Sequence, residues 1–357
     1  MPFIFTTLAG LNAADFDTIV DVRSPAEFAE DHLPGAISLP VLSDDERAEV
    51  GTIYTRVSPF KARKIGAALV AKNAAAHLQG PLAETAGSWR PLVYCWRGGQ
   101  RSGSFAAILG QIGWRVEVLE GGYQSFRRQV VDALYERAMG PRIILLDGNT
   151  GTGKTDILHR LAVRGVQFLD LEGLADHRGS VLGGFGPQPS QKAFETALYV
   201  AIAALDPERP VVVEAESSRI GALNVPPKLF EAMRAAPRIV VSAPVAARAA
   251  FLARTYADGS VDLEEFVDRL DRLVGLRGHT QVQVWKTAVK DGKFTDVAAS
   301  LIETHYDGRY AKVRERIGAE ALASFSADVL DEAGLEGLAD QVAQAVMTLP
   351  ADGPSTP

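Results

Sequence analysis

An apolar segment that runs directly into a glycine-rich loop limits the folds open to this chain. Residues 142–146 have the composition of a buried strand, and residues 156–163 continue as a helix. Between them, residues 148–155 read GNTGTGKT, which matches the pattern G-x-x-x-x-G-K-[ST] in full. A strand, such a loop and a helix in this order predict the start of an α/β unit that binds phosphate.

Each residue type in the loop has a separate task. Glycines let backbone N–H groups surround phosphate oxygens, the lysine supplies a point charge, and the threonine hydroxyl can bind a Mg²⁺ held by phosphate. The predicted phosphate-binding residues are Gly148, Gly151, Gly153, Lys154 and Thr155.

A loop of this kind usually works with an acidic residue at the end of a neighbouring strand, and the sequence does not identify that residue clearly. Candidate strands at 211–216 and 168–172 end in carboxylates, which could instead be solvated or held in ion pairs. Arg178 and Arg219 could contact further phosphates or an RNA backbone, with surface ion pairs as the alternative. The candidate metal ligands are Thr155, Asp170, Glu214 and Glu216.

The first third of the chain alternates short apolar runs, at 18–22, 36–39, 91–94 and 115–119, with helical stretches. This alternation predicts a second parallel, doubly wound sheet, so the chain belongs to the α/β class. Gly140 and Pro141 mark a linker. The expected division is a doubly wound domain at 1–138, a phosphate-loop domain at 142–318, an acidic helical segment at 319–348 and a disordered tail at 349–357.

Cys95, the only cysteine, opens a loop between a predicted strand and a predicted helix. Backbone N–H groups of such a loop and the start of the helix stabilise a thiolate or a bound anion. The predicted active-site loop comprises Arg97, Gly98, Gly99 and Arg101 beside Cys95. These neighbours favour a nucleophile over the alternative, an inert buried thiol.

Composition and charge exclude several classes of protein. A single cysteine among 357 residues excludes a disulfide framework and a tetrahedral cysteine zinc site. Without a signal peptide or a membrane-length apolar run, the sequence predicts a soluble cytoplasmic protein that does not bind membranes. The net charge of −7 equals the seven acids after Arg316, and residues 50–83 contain no acid. Arg56 and Lys64 in that stretch are candidate RNA contacts, with an ordinary solvated surface as the alternative.

Several motifs resemble known families. Residues 21–28 (DVRSPAEF), 32–36 (HLPGA) and 119–123 (LEGGY) resemble a rhodanese domain whose active-site cysteine is Cys95. A rhodanese domain joined to this phosphate loop is similar to the tRNA 2-selenouridine synthase family. The similarity extends through 170–180, 189–195 and 214–221 and covers roughly residues 15–310. The resemblance implies a rhodanese-like domain followed by a P-loop NTPase-like domain, and the expected C-terminal helical segment lies outside it.

The resemblance implies a transferase that edits the wobble uridine of the tRNAs for lysine, glutamate and glutamine. Geranyl diphosphate would alkylate the sulfur of 2-thiouridine, and selenium from selenophosphate would then replace the geranylthio group. Both donors are co-substrates, no cofactor is expected to bind tightly, and Mg²⁺ is a candidate ion. A selenophosphate-supplying enzyme is an expected partner, and Cys95 would hold the selenium donor or carry selenium covalently.

Two other functions fit part of the sequence. The phosphate loop also suits an ATP-dependent tRNA sulfurtransferase or an RNA kinase. Residues 95–102 also satisfy the Cys-x5-Arg-Ser pattern of cysteine phosphatases, but no separate general acid can be assigned.

Overall fold

A computed structural model describes residues 2–177, 187–257, 263–308 and 321–349. It divides the chain into two compact units. The first combines the described residues of Met1–Arg137 with Pro189–Ala203, and the second combines those of Ala138–Gln188 with Ala204–Pro357.

The first unit is built on a parallel sheet that is four-stranded in the described residues, with strand order β2-β1-β3-β4. Its core includes Val20, Val22, Val93, Phe105 and Leu109, all fully buried. The strands are β1 (Thr18–Asp21), β2 (Ala36–Ser38), β3 (Pro91–Tyr94) and β4 (Glu117–Val118). The helices are α1 (Leu8–Asn12), α2 (Pro25–Glu30), α3 (Asp44–Arg56), α4 (Pro59–Gln79), α5 (Gln100–Ile112) and α6 (Gly122–Val131), with a π-helical turn at Asp132–Glu136. The predicted doubly wound fold is therefore confirmed.

The second unit contains a parallel sheet that has five strands in the described residues, in the order β11-β10-β5-β7-β6. These strands are β5 (Ile143–Asp147), β6 (Gln167–Leu169), β7 (Val211–Glu214), β10 (Arg238–Ser242) and β11 (Ala321–Ser326), and a small antiparallel pair is formed by β8 (Arg219–Ile220) and β9 (Leu223–Asn224). Because β5 lies between β10 and β7, the loop that follows it opens at the centre of the carboxyl edge.

The helices of the second unit cover the sheet and extend beyond it. They are α7 (Lys154–Ala162), α8 (Leu171–Leu174), α10 (Pro227–Ala235), α11 (Val245–Ala257), α12 (Leu263–Leu270), α13 (Val274–Arg277), α14 (His279–Lys290), α15 (Phe294–Leu301) and α16 (Glu332–Met347), with a 3-10 turn at Asp271–Leu273 and a π-helical turn at Ile302–Tyr306. Residues of α16 such as Leu338 and Val342 are buried in the core beside Ile144 and Leu146 of β5.

Two elements differ from the sequence-based division. Helix α9 (Gln191–Ala203) belongs to the first unit, although its position in the chain suggests the phosphate-loop domain. Residues 321–326 form strand β11 within a segment expected to be wholly helical. Of the expected disordered tail, only Leu349 is among the described residues.

Candidate active sites

The Cys95 loop joins the end of β3 to the start of α5 and is fastened to the start of α6. The N–H groups of Tyr123 and Gln124 donate to the carbonyl oxygens of Cys95 and Trp96 at 2.9 and 3.0 Å. Gly122 has φ +57°, and a Cβ there would lie 2.2 Å from the Cys95 oxygen. The Gly121–Gly122 pair therefore has to be glycine to let the two loops meet.

Ser102 is the polar side chain that touches the thiol. Its hydroxyl donates to Cys95 Sγ at 3.2 Å, and both residues are buried. Burial raises the pKa of the Cys95 thiol, but the hydrogen bonds from Ser102, the Arg101 charge and the Arg97 N–H together lower it below its usual value. The arrangement favours a thiolate nucleophile.

The two arginines of the loop occupy different environments. Arg101 donates to Glu27 at 2.7 Å, and Arg47 contacts the same carboxylate at 3.0 Å. Burial raises the pKa of Glu27, but these cations outweigh it and bring the pKa to about 2. Arg97 is exposed, and Gly99 forms the N-cap of α5. Arg101 thus acts on the thiol through its charge while its guanidinium binds Glu27.

Other rhodanese-like motif residues hold the strand ends in place. Arg23, fully buried, binds the Asp21 carboxylate at 2.7 Å and the Asp31 carbonyl oxygen at 2.6 Å. The Asp31 carboxylate accepts hydrogen bonds from Tyr123 at 2.6 Å and from Thr196 of α9 at 2.9 Å. These residues have a structural role, and the last contact ties α9 to the same network.

A cavity of about 690 Å³ lies beside the Cys95 loop in the first unit. The residues that line it include Trp96, Gln124, Arg127, Arg128 and Val131. The acids Asp132 and Glu136 line it as well, so the cavity offers an aromatic ring, amides and charges of both signs to a polar ligand.

The phosphate loop of the second unit is compact and held by its own backbone. Lys154 Nζ donates to the Gly148 carbonyl oxygen at 2.9 Å, which folds the lysine over the loop. Gly153 has φ +74°, and a Cβ on Gly148 would lie 2.6 Å from Thr152 Oγ1 and 2.8 Å from the Val241 carbonyl oxygen. All five predicted phosphate-binding residues lie together in this loop.

Residues beyond the motif brace the loop from α11. Buried Arg248 donates to the Thr150 carbonyl oxygen at 3.2 Å and pairs with Asp307 at 2.7 Å. Asp307 also accepts from the Asn149 amide at 2.9 Å. The sequence motif could not reveal this brace because Arg248 and Asp307 are far from the loop in the chain.

Three glutamates lie behind Thr155. The Thr155 hydroxyl lies 3.3 Å from Glu172 Oε2, and the Glu172 N–H donates to Glu214 Oε1 at 2.6 Å. Burial and the nearby Glu172 charge raise the pKa of Glu214 well above its usual range. Burial and Glu172 also raise the pKa of Glu216, to about 8, against the opposing effect of Lys154. Glu214 and Glu216 therefore favour their protonated forms.

Asp170, one of the candidate metal ligands, has other partners in the structure, whereas Glu214 and Glu216 lie beside Glu172. Asp170 caps α8 through the Gly173 N–H at 2.7 Å and binds His159 at 2.7 Å, whereas Glu172 takes the position beside Thr155. Within the described residues, no group of three or more His, Cys, Asp or Glu side chains is arranged to hold a metal ion.

The candidate RNA contacts are distributed over both units. Arg56 and Lys64 are exposed on α3 and α4 of the first unit, and Arg219 is exposed at the start of β8 in the second. Arg178 lies outside the described residues.

Two family models match successive parts of the chain. Residues 6–129 match the rhodanese-like domain, and residues 141–283 match the tRNA 2-selenouridine synthase AAA domain. A tRNA 2-selenouridine synthase of Hahella chejuensis is 34% identical over 331 residues, which cover 82% of this chain and 84% of that relative. The chain belongs to the tRNA 2-selenouridine synthase family.

Other members of the tRNA 2-selenouridine synthase family match a shorter part. The relative from Nitrosomonas europaea is 36% identical and that from Salmonella newport 39%, over 64% and 67% of this chain. The matches span 61% and 65% of those relatives' own lengths. In the described part of the chain, no helix is long and apolar enough to cross a membrane.

Proposed function

We propose that this chain is a transferase that forms 2-selenouridine at the wobble position of the tRNAs for lysine, glutamate and glutamine. The sulfur of 2-thiouridine is first geranylated by geranyl diphosphate, and selenium from selenophosphate then replaces the geranylthio group. The observation that carries the proposal is the Cys95 thiol, which accepts a hydrogen bond from Ser102 at 3.2 Å, in a chain that also holds a complete phosphate loop.

In the proposed first step, the phosphate loop holds the diphosphate of the prenyl donor. Attack of the thiocarbonyl sulfur on the first carbon of the prenyl chain forms a C–S bond and releases diphosphate. Lys154 and the loop N–H groups stabilise the charge on the leaving group.

A Mg²⁺ fits beside this loop only together with the donor. Thr155 and Glu172 would hold it, and Mg²⁺ commonly completes its ligands with substrate phosphates and water. The ion would neutralise part of the diphosphate charge.

In the proposed second step, the Cys95 loop holds selenophosphate and releases its selenium as selenide. Alkylation has made the sulfur a good leaving group, so a selenium nucleophile adds to the electron-poor carbon and expels geranylthiol. The Cys95 thiolate that Ser102 favours attacks the phosphorus of selenophosphate, so that an S–P bond forms and the P–Se bond breaks. The selenide released, whose oxidation state is unchanged, is the nucleophile that adds to the uridine carbon, and water then cleaves the S–P bond to give phosphate. The cavity beside Trp96 has room for the modified nucleoside.

The proposed partners follow from these substrates. The tRNA is one, and an enzyme that supplies selenophosphate is another. Because tRNA and its modifying enzymes work in the cytoplasm, that is the proposed location.

The test is a reaction of the purified protein with 2-thiouridine-containing tRNA. Geranyl diphosphate alone should give S-geranyl-2-thiouridine by mass spectrometry of nucleosides, and adding selenophosphate should give 2-selenouridine. Labelled ATP replacing geranyl diphosphate should give neither product. ATP turnover that depends on tRNA, without geranylation, would instead support a sulfurtransferase or kinase.

A further inference from the structure

Helices α3 and α4 form a hairpin in the first unit whose tip exposes large apolar side chains. We call residues 54–64 the hairpin tip. Its Tyr54, Val57 and Phe60 are 51%, 63% and 76% exposed. Ala62 is the tip residue that is buried, so these larger side chains add little to the core of the unit.

The hairpin tip is also strongly cationic. It carries Arg56, Lys61, Arg63 and Lys64, and no acidic residue occurs from 50 to 83. Among the described residues, none of these four side chains forms an ion pair. The acids of α3, which are Asp44, Asp45, Glu46 and Glu49, all lie in the first half of the helix, away from the tip. The charge is therefore concentrated where the rings are exposed.

The turn between the helices presents the rings in a defined conformation. The N–H groups of Val57 and Ser58 donate to the Ile53 carbonyl oxygen at 3.0 and 2.9 Å. Ser58 caps α4 by accepting from the Lys61 N–H at 3.3 Å, and Pro59 follows at the first helical position. A rigid turn lowers the entropy that a ligand would have to remove on binding.

We propose that the hairpin tip binds the unpaired loop of the RNA substrate. Phe60 and Tyr54 stack on unpaired bases, and the surrounding cations neutralise phosphates. The inference rests on the proposed function, in which tRNA is the substrate, and it assigns binding of the unpaired loop of that RNA to the hairpin tip. A paired RNA helix offers the same phosphates without open base faces, so rings next to cations favour a single-stranded loop.

The first experiment compares binding of a stem-loop RNA with that of a blunt RNA duplex having the same number of phosphates. Phe60→Ala should weaken stem-loop binding about 5- to 150-fold, the usual effect of losing one stacked base, and leave duplex binding unchanged. Phe60→Trp should keep the wild-type affinity, and Phe60→Leu should behave like Phe60→Ala. Ile112→Ala, at an apolar side chain that is 52% exposed on α5, is the matched control and should bind normally.

The second measurement separates stacking from charge. Lys64→Ala should weaken both RNAs and lower the slope of log affinity against log salt by about one unit. Phe60→Ala should leave that slope unchanged, because the ring contacts no phosphate.

Equal binding of the stem-loop by wild type, Phe60→Ala and Phe60→Leu would overturn the inference. Wild-type binding of the stem-loop by Phe60→Leu would also overturn it, because an apolar side chain without a ring would then be sufficient and base stacking would not be involved. Product formation in the same samples tests the proposed function separately. If the wild type makes 2-selenouridine and the ring variants bind normally, only the inference fails. If ring-dependent binding occurs without product, the inference holds and the proposed function fails.

Discussion

The reactivity of Cys95 depends on a contact across the first turn of α5. The Ser102 hydroxyl lies 3.2 Å from Sγ, and this contact offsets part of the cost of burying a thiolate. A buried thiol without such donors would be inert.

At this scale we expect Ser102→Ala to raise the pKa of Cys95. Loss of the hydroxyl removes the strongest influence that favours the thiolate, so the rate of alkylation by iodoacetamide should rise with pH at a higher midpoint than in the wild type. Ser104→Ala, on the same helix, should leave the midpoint in place. An unshifted profile for Ser102→Ala would show that the loop N–H groups alone set the pKa.

A second residue-scale expectation concerns Glu216, whose pKa of about 8 lies above the usual 4.5. The folded protein then binds more protons than the unfolded chain between these values, so stability should fall as pH rises through that window. Glu216→Gln should reduce the fall in melting temperature between about pH 5 and about pH 9, measured with EDTA present. Glu231→Gln, at an exposed glutamate of α10, is the control and should keep the wild-type slope. The same slope for Glu216→Gln and wild type would contradict the account.

Sequence reasoning identified the residues whose roles depend on chain neighbours. Cys95 and the glycines of both loops follow from local spacing, and the structure brings each set together. The sequence predicts Asp170 rather than Glu172 as a metal ligand, whereas in the structure Glu172 lies beside Thr155 and Asp170 binds His159. The direction of each carboxylate depends on how α8 begins, which the sequence does not show. The Arg248 brace depends on tertiary packing and leaves no local signal.

Helix α9 supplies buried polar side chains that bind partners in the rest of the first unit. Glu195, almost fully buried, pairs with Arg127 and accepts from the Tyr135 hydroxyl at 2.6 Å. Thr196 reaches Asp31 in the same network as Arg23. The order of the chain could not predict this, because the apolar pattern of α9 suits either unit.

We therefore expect Glu195→Ala to destabilise the first unit by about 3–5 kcal/mol, since it leaves the mostly buried Arg127 without its charge partner. Urea unfolding followed by tryptophan fluorescence measures this. Replacing both partners, by Arg127→Met with Glu195→Leu, should recover much of the loss. Lys192 is also on α9 and forms an exposed ion pair with Glu30 of α2. Lys192→Ala should therefore lower the free energy of unfolding by at most about 1 kcal/mol. A loss that small for Glu195→Ala would contradict the role given to α9.

Strand β11 is another element that the sequence did not predict. Ala321–Ser326 has only two large apolar side chains, Leu322 and Phe325, and none of its residues is fully buried. The strand therefore lacks the continuous apolar run that predicts inner strands such as β5 and β7. Pairing with β10 determines the strand instead.

For the whole molecule, the charge distribution differs from what the net charge suggests. Several acids of α16 are held in ion pairs: Glu332 with Arg160, and Glu336 and Asp340 with Arg164. The acidic C-terminal segment is thus part of the second unit's structure, and the exposed cations of the hairpin tip remain available for RNA. The chain carries two candidate centres, a thiol in the first unit and a phosphate loop in the second.

The most direct test of this account is nucleoside analysis of tRNA from cells in which the gene for the protein is deleted. The deletion is complemented with the wild type, with Cys95→Ser or with Lys154→Ala. Wild type should restore 2-selenouridine. Cys95→Ser should accumulate S-geranyl-2-thiouridine without 2-selenouridine, because only the second step needs the thiolate, and Lys154→Ala should give neither nucleoside. Normal 2-selenouridine with Cys95→Ser, or normal geranylation with Lys154→Ala, would contradict the account.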